Sequence, residues 1–388
     1  MSKLWDSFRN LFTPIRTLPT GIHHYQSPPD DPRNYRLHLR LEKDGSGVLI
    51  VNAATILHLN QTAAEYAYYL IQNEPVDKVA SKMVNRYHVD PEQARKDYLD
   101  FTDRMQILIN TPDLDPVTFL DFERQQPFSG SLSSPYRLDC ALTYRLPTDE
   151  PTDAAPVDRV TRELNAAEWN VIIDKAWKAG IPHIVFTGGE ATLREDLPDL
   201  IAHAESNGQV SGLLTDGLRL SDREYLHILL RTGLDHLLIV LQPENDDSWK
   251  AVENAMVEDL SVAVHLTLTR RNYQSATSLL ERLSSLGVKQ ISLSIEDTSL
   301  SDALKTAREK AASLHLELVW NLPVPYSSLH PVAMEVGDAA IEGAGRAWLY
   351  VEPDGDVLAS QGSHQVLGNM LKDPWEKLWK GSAQENPD

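Results

Sequence analysis

Val185-Phe186-Thr187-Gly188-Gly189-Glu190-Ala191-Thr192-Leu193-Arg194 runs from an apolar strand into two glycines and an acid. A helix is expected beyond it. Paired glycines after a strand are expected to leave backbone amides uncovered. The carboxyl end of a strand is also where α/β folds place ligands. Alone, however, a glycine pair after a strand marks only a turn, so the meaning of this stretch depends on its surroundings.

Working outward, apolar runs predict strands over 138–144, 183–186, 210–214, 236–241, 262–268, 290–295 and 316–320. Helices are expected between them, near 165–179, 195–206, 221–231, 246–258, 272–286 and 300–313. Asn165 with Glu168, and Ser221 with Glu224, read as N-caps. Such alternation implies a parallel sheet with right-handed crossovers. Six or seven units suggest a partial or full (β/α) barrel over 136–322, its chemistry at the carboxyl ends of the strands. From 323 to 388 the pattern changes to a hairpin turning at Pro353-Asp354-Gly355, followed by a short helix opened by Asp373-Pro374.

Towards the N-terminus, residues 33–110 read as a small separate α+β domain. Leu37, Leu39 and Leu41 alternate with polar residues, and Asp44-Gly45-Ser46-Gly47 is a hairpin signal. Thr62 with Glu65 reads as a capping box, and Asp90-Pro91 with Gln93 opens a further helix. Residues 1–32 are expected to form an amphipathic helix, with Leu4, Trp5, Phe8, Leu11 and Phe12 on one face, and then a proline-rich linker holding His23-His24. Its basic face is thin, so packing on its own chain is preferred over a membrane surface. Residues 111–135 read as a second linker.

The totals bound the function. A net charge of −20 and a pI near 5.0 argue against a nucleic-acid partner. No apolar run reaches membrane-spanning length and no secretory signal is seen, so a cytoplasmic location is expected. There is one cysteine, Cys140, hence no internal disulfide and no cysteine-built metal site.

With these elements in place, residues 136–380 resemble the radical S-adenosylmethionine (radical SAM) superfamily with a SPASM or twitch-like C-terminal extension. Ala141-Leu142-Thr143-Tyr144-Arg145 is similar to the strand leading into that family's cluster loop. Thr187-Gly188-Gly189-Glu190 matches its GGE motif, and Leu214-Thr215-Asp216-Gly217 its T-N-G. Residues 33–110 resemble the winged-helix PqqD-like domains, which bind leader peptides along a strand edge. The resemblance implies a 4Fe–4S cluster held by C-x3-C-x2-C. Here those positions fall on Leu146, Glu150 and Asp153, and the extension has Glu342 and Ser360 where cysteines are expected. Clusters need thiolates, so no 4Fe–4S cluster and no reductive SAM cleavage are expected.

In the family the GGE turn holds the methionyl amino group of SAM. Gly188, Gly189 and Glu190, with Thr215 and Gln242 at neighbouring strand ends, are therefore the candidate cofactor-binding residues. Without iron a bidentate anchor is lost, which leaves SAM a weakly held candidate. Asp149, Glu150, Asp153 and Asp158 are hard oxygen ligands, but the prolines among them favour a solvated loop, and no metal site is assigned. No catalytic residue is assigned; His183, His236 and His265 fall on strands and could face the barrel interior. The preferred expectation is a non-radical binding or accessory protein in peptide modification, recruiting a peptide or partner enzyme through 33–110. The alternatives are a barrel using SAM or a nucleotide for non-radical chemistry and, least favoured, an active radical SAM enzyme.

Overall fold

The computed structural model describes residues 17–28, 30–33, 35–52, 55–111, 132–319, 322–335 and 343–383. The expected N-terminal helix over 1–12 and most of the 111–135 linker lie outside the described residues. The chain forms two compact units, 1–131 and 132–388.

Among the described residues the first unit is a four-stranded antiparallel sheet, β1 (Gly21–Gln26), β2 (Arg36–Leu41), β3 (Gly47–Val51) and β4 (Thr55–Leu59), in that spatial order. Three helices follow among the described residues: α1 (Gln61–Ile71), α2 (Val76–Tyr87) and α3 (Pro91–Asn110). Leu37, Leu39, Leu41, Leu49, Leu57 and Leu59 point to one face of the sheet and share a core with Ala64, Met83, Tyr98 and Met105 of the helices. The expected linker over 14–32 is corrected here. Its His23-His24 segment is β1, paired in register with β2 from Gly21↔Leu41 to Gln26↔Arg36. Histidines and flanking prolines dilute the alternation that would mark a strand, and an edge strand needs less of it.

Two caps also shift. The α1 cap is Asn60, whose side chain accepts from the Ala63 amide at 3.0 Å. Glu65 is buried instead and takes Arg86 and the Tyr87 hydroxyl at 2.6 and 2.7 Å.

In the second unit β5 (Arg137–Thr143), β6 (His183–Gly188), β7 (Val210–Thr215), β8 (His236–Val240), β9 (Ser261–Leu268), β10 (Gln290–Ile295) and β11 (Glu317–Leu318) pair in parallel, in chain order. Helices α4 (Ala166–Ala179), α5 (Leu197–Asn207), α6 (Arg223–Arg231), α7 (Asp246–Met256), α8 (Ala276–Ser285) and α9 (Ser301–Ser313) provide the crossovers. Asn165 and Glu168 form the expected capping box of α4; α6 is capped by Asp222, one residue after the expected Ser221.

Among the described residues the sheet has ten strands and does not close. On the far side of β5 it continues with β12 (Trp348–Val351), parallel to β5, then the antiparallel β13 (Asp356–Leu358) and β14 (Gly368–Asn369). The C-terminal hairpin therefore extends the barrel sheet. The last helix, α10 (Trp375–Ala383), is tied back through the Trp379 indole to the Leu132 carbonyl at 2.9 Å.

Period-two alternation sorts the strands into two faces. Leu138, Ile184, Phe186, Leu213, Ile239, Val264 and Leu266 pack under the helices. Val185, Leu214, Leu238, Val240 and Ala263 turn to the concave side.

Candidate functional site

The Gly188-Gly189-Glu190 turn ends β6 at the carboxyl edge of the sheet. Gly188 has φ +135°, and a Cβ there would lie 2.1 Å from the Thr143 carbonyl oxygen; one on Gly189 would lie 2.4 Å from that of Arg145. Both glycines are thus required by close approach of the β5 exit. The amides expected to be uncovered are not. Gly189 N–H donates to the Thr143 carbonyl at 2.8 Å and Glu190 N–H to the Arg145 carbonyl at 2.9 Å. The glycines make the turn narrow enough for β5 to take those amides itself.

Glu190 is buried and its carboxylate is engaged by its own chain. Oε1 accepts from the Thr192 amide at 2.9 Å and the Thr215 hydroxyl at 2.8 Å, and Oε2 from the Asp216 amide at 2.8 Å. Thr215 Oγ1 in turn accepts from Gly217 N–H at 3.0 Å. Asp216, which sequence reasoning did not single out, is the titrating group here. Burial first, and then the charge of Glu190, push its carboxyl up to about 8. At neutral pH it is a neutral acid. Arg194 locks the turn from behind, donating to the Leu142 and Leu164 carbonyls at 3.1 and 2.9 Å and pairing doubly with Asp196.

Gly188, Gly189, Glu190 and Thr215 are brought together. Gln242 is bonded within its own loop: its amide donates to Ser248 Oγ and its side-chain Oε1 accepts from Asn245 Nδ2. The cavity beside Glu190 has a volume of only about 10 Å³ and is lined by Leu146, Pro147, Val240, Pro325 and Tyr326, with Glu150, Asp216 and Ser327 on its polar side. That is room for about one water.

Of the positions corresponding to cluster ligands, Leu146 packs with Tyr144, Ala155 and Tyr326. Glu150 accepts the Ser328 amide at 2.6 Å, and Asp153 is exposed. Among the described residues no group of three or more histidine, cysteine or acidic side chains is placed to hold a metal ion. Cys140 is fully buried in β5, and burial pushes its thiol well up. Glu342 lies outside the described residues.

The three strand histidines divide. His183 and His236 meet Nε2 to Nε2 at 2.6 Å at the amino end of the sheet, where Gly212 leaves space for the His236 ring. His265 lies on the concave side of β9, its ring nitrogens bonded to Ser292, Thr267 and Ser294 hydroxyls at 2.9–3.1 Å. Burial pushes His236 down to about 4 and His265 down to about 3, so both are neutral, satisfied side chains.

Residues 147–294 match the model of the radical SAM superfamily. A PqqA peptide cyclase from Streptomyces rochei is 27% identical over 288 residues, spanning 66% of this chain and 78% of that one. Among solved structures, Streptococcus suis SuiB bound to its precursor peptide SuiA aligns over 92% of this chain and 88% of its own, with a TM-score of 0.59 and 14% identity. SuiB bound to S-adenosylmethionine aligns with a TM-score of 0.56 and 15% identity over the same shares. At that identity the likeness is one of fold. The chain departs from the matched family at the cluster, because a single buried cysteine cannot supply three thiolates. Canonical radical SAM activity is therefore lost.

Proposed function

We propose that this chain is an accessory protein of peptide modification that acts by binding, through its N-terminal unit, the leader segment of a ribosomally made peptide. The observation that carries the reading is the combination of a radical SAM-like barrel without cluster ligands and a separate small antiparallel sheet backed by helices. A small sheet of this kind recognises an extended peptide through main-chain hydrogen bonds along a strand, with no cofactor required. The named activities of the relatives, peptide cyclisation and precursor binding, support a peptide as the partner class. Among the described residues no helix is long and apolar enough to cross a membrane; a cytoplasmic location is part of the proposal and is not drawn from that absence. Gly188, Gly189, Glu190 and Thr215 are the proposed remnant of a small-molecule subsite.

The test pairs two measurements on the full chain. Labelled N-terminal segments of precursor peptides are titrated against it and against a version lacking residues 1–110, and the protein is treated anaerobically with iron and sulfide. Capture by the full chain alone, with no visible charge-transfer absorption, is expected. Equal capture by the truncated chain, or a reconstituted cluster, defeats the reading.

A further inference from the structure

The carboxyl face of a (β/α) barrel is where its small molecules sit, and in this chain that face is covered beside Glu190 by a segment of the chain itself. Residues 322–330, Leu-Pro-Val-Pro-Tyr-Ser-Ser-Leu-His, pass over the carboxyl edge of the sheet. Leu322, Val324 and Leu329 pack with Val319 against Val185, Leu214, Leu238, Val240 and Ala263, the inward residues of β6 to β9. Tyr326 is 1% exposed and meets Tyr144 edge to face, with ring centroids 5.4 Å apart.

The backbone of this segment is fastened to the same turn that carries the glycines. Tyr326 N–H donates to the Gly188 carbonyl at 2.9 Å, Ser328 N–H to Glu150 at 2.6 Å, and Gln361 Nε2 to the Val324 carbonyl at 2.8 Å. Pro323 and Pro325 fix φ on either side of Val324, so little conformational entropy is lost on seating.

We propose that residues 322–330 are a resident plug of the barrel, a strap that occupies the place of a small-molecule ligand and keeps S-adenosylmethionine out. SAM does not fit beside Glu190 while the strap is seated, since the remaining cavity of about 10 Å³ holds one water. A second sign is Thr187. It alternates with Val185 on the same side of β6, is fully buried, and its hydroxyl has no hydrogen-bond partner. A buried hydroxyl without a partner is what remains where an apolar occupant covers a wall built to meet a polar one. Loss of the cluster and closure of the barrel are then separate events, and the second is reversible by sequence change.

The inference concerns the barrel only and stands apart from peptide capture by the N-terminal unit. The experiment is calorimetric titration of full-length protein with SAM, comparing the parent with Tyr326→Ala and with the double variant Val324→Ser, Leu329→Ser. Hydrogen exchange at the 322–330 amides reports whether the strap has lifted, and a thermal melt reports whether the barrel is still folded. Negligible heat for the parent and at least tenfold tighter SAM binding by a folded variant with fast-exchanging strap amides is the expected result. A parent that binds SAM as tightly as the variants overturns the proposal, as does a folded, strap-released variant that still binds none.

Discussion

Replacing Asp216 by asparagine is expected to stabilise the barrel, and increasingly so as pH rises. The buried Asp216 carboxyl is raised from an ordinary value of 3.8 to about 8 by burial and by Glu190. A group whose folded pKa lies above its unfolded one contributes stability that is fully present below pH 4 and lost as pH rises through 8. Each pH unit between the two values is worth about 1.4 kcal/mol, which sets a ceiling of roughly 6 kcal/mol across that window. Solvent entry at the cavity mouth lowers the ceiling, and about 3 kcal/mol at pH 8 is the expected gain. Asparagine keeps the bonds that matter. Its Oδ1 still accepts the Leu218 amide, now at 2.9 Å, and its Nδ2 replaces the acid proton facing Glu190. The assay is urea unfolding followed by tryptophan fluorescence at pH 4.5, 6, 7 and 8. All tryptophans except Trp5 lie beyond residue 132, so the signal reports the second unit. The curves for parent and variant should coincide near pH 4 and separate with rising pH. A variant less stable than the parent at pH 8, or an offset independent of pH, refutes the assignment of Asp216 as a buried neutral acid.

Two further outcomes follow from the same wall of the barrel. Gly189→Ala places a Cβ 2.4 Å from the Arg145 carbonyl oxygen, and because the obstacle is backbone the loss should reach about 3 kcal/mol in the same unfolding assay; a change below about 0.5 kcal/mol would mean the β5 exit is not packed as described. His265 titrates in the folded chain at about 3, below its ordinary 6.5, so its contribution is present above pH 6.5 and lost as pH falls towards 3. Relative to the parent, His265→Gln should therefore gain about 1.4 kcal/mol for each pH unit on acidifying from pH 6.5 to 4, a difference in which the opposite trend of Asp216 cancels, and parallel stability curves would contradict it.

What was legible in the sequence is what is local. Strand and helix positions in the second unit follow from apolar periodicity, and the Asn165–Glu168 capping box forms as its spacing requires. The features that escaped are those decided by partners distant in the chain. The strand β1 exists because Arg36–Leu41 offers it an edge, not because Gly21–Gln26 alternates. Gln242 stands after a strand end, as a ligand-binding residue would, yet its hydrogen bonds stay within the loop to Ser248. Glu65 has the spacing of a capping residue, but Arg86 and Tyr87 draw it into the core.

The glycine turn is the instructive case, because each of its residues also has a packing duty. Gly188 and Gly189 are demanded by carbonyl oxygens of Thr143 and Arg145 that leave no room for a Cβ. Arg194 is demanded by the Leu142 and Leu164 carbonyls. Glu190 is demanded by two backbone amides and the Thr215 hydroxyl. Removing Glu190 would strand those buried donors, at a cost of about 1–3 kcal/mol each, whether or not a ligand ever binds. A motif whose every member also has a packing duty can persist after the chemistry it served has gone. Its presence in a sequence is therefore evidence for the fold, while evidence for a cofactor has to come from groups with no other employment, and in this barrel those are the thiolates that Leu146, Glu150 and Asp153 do not provide.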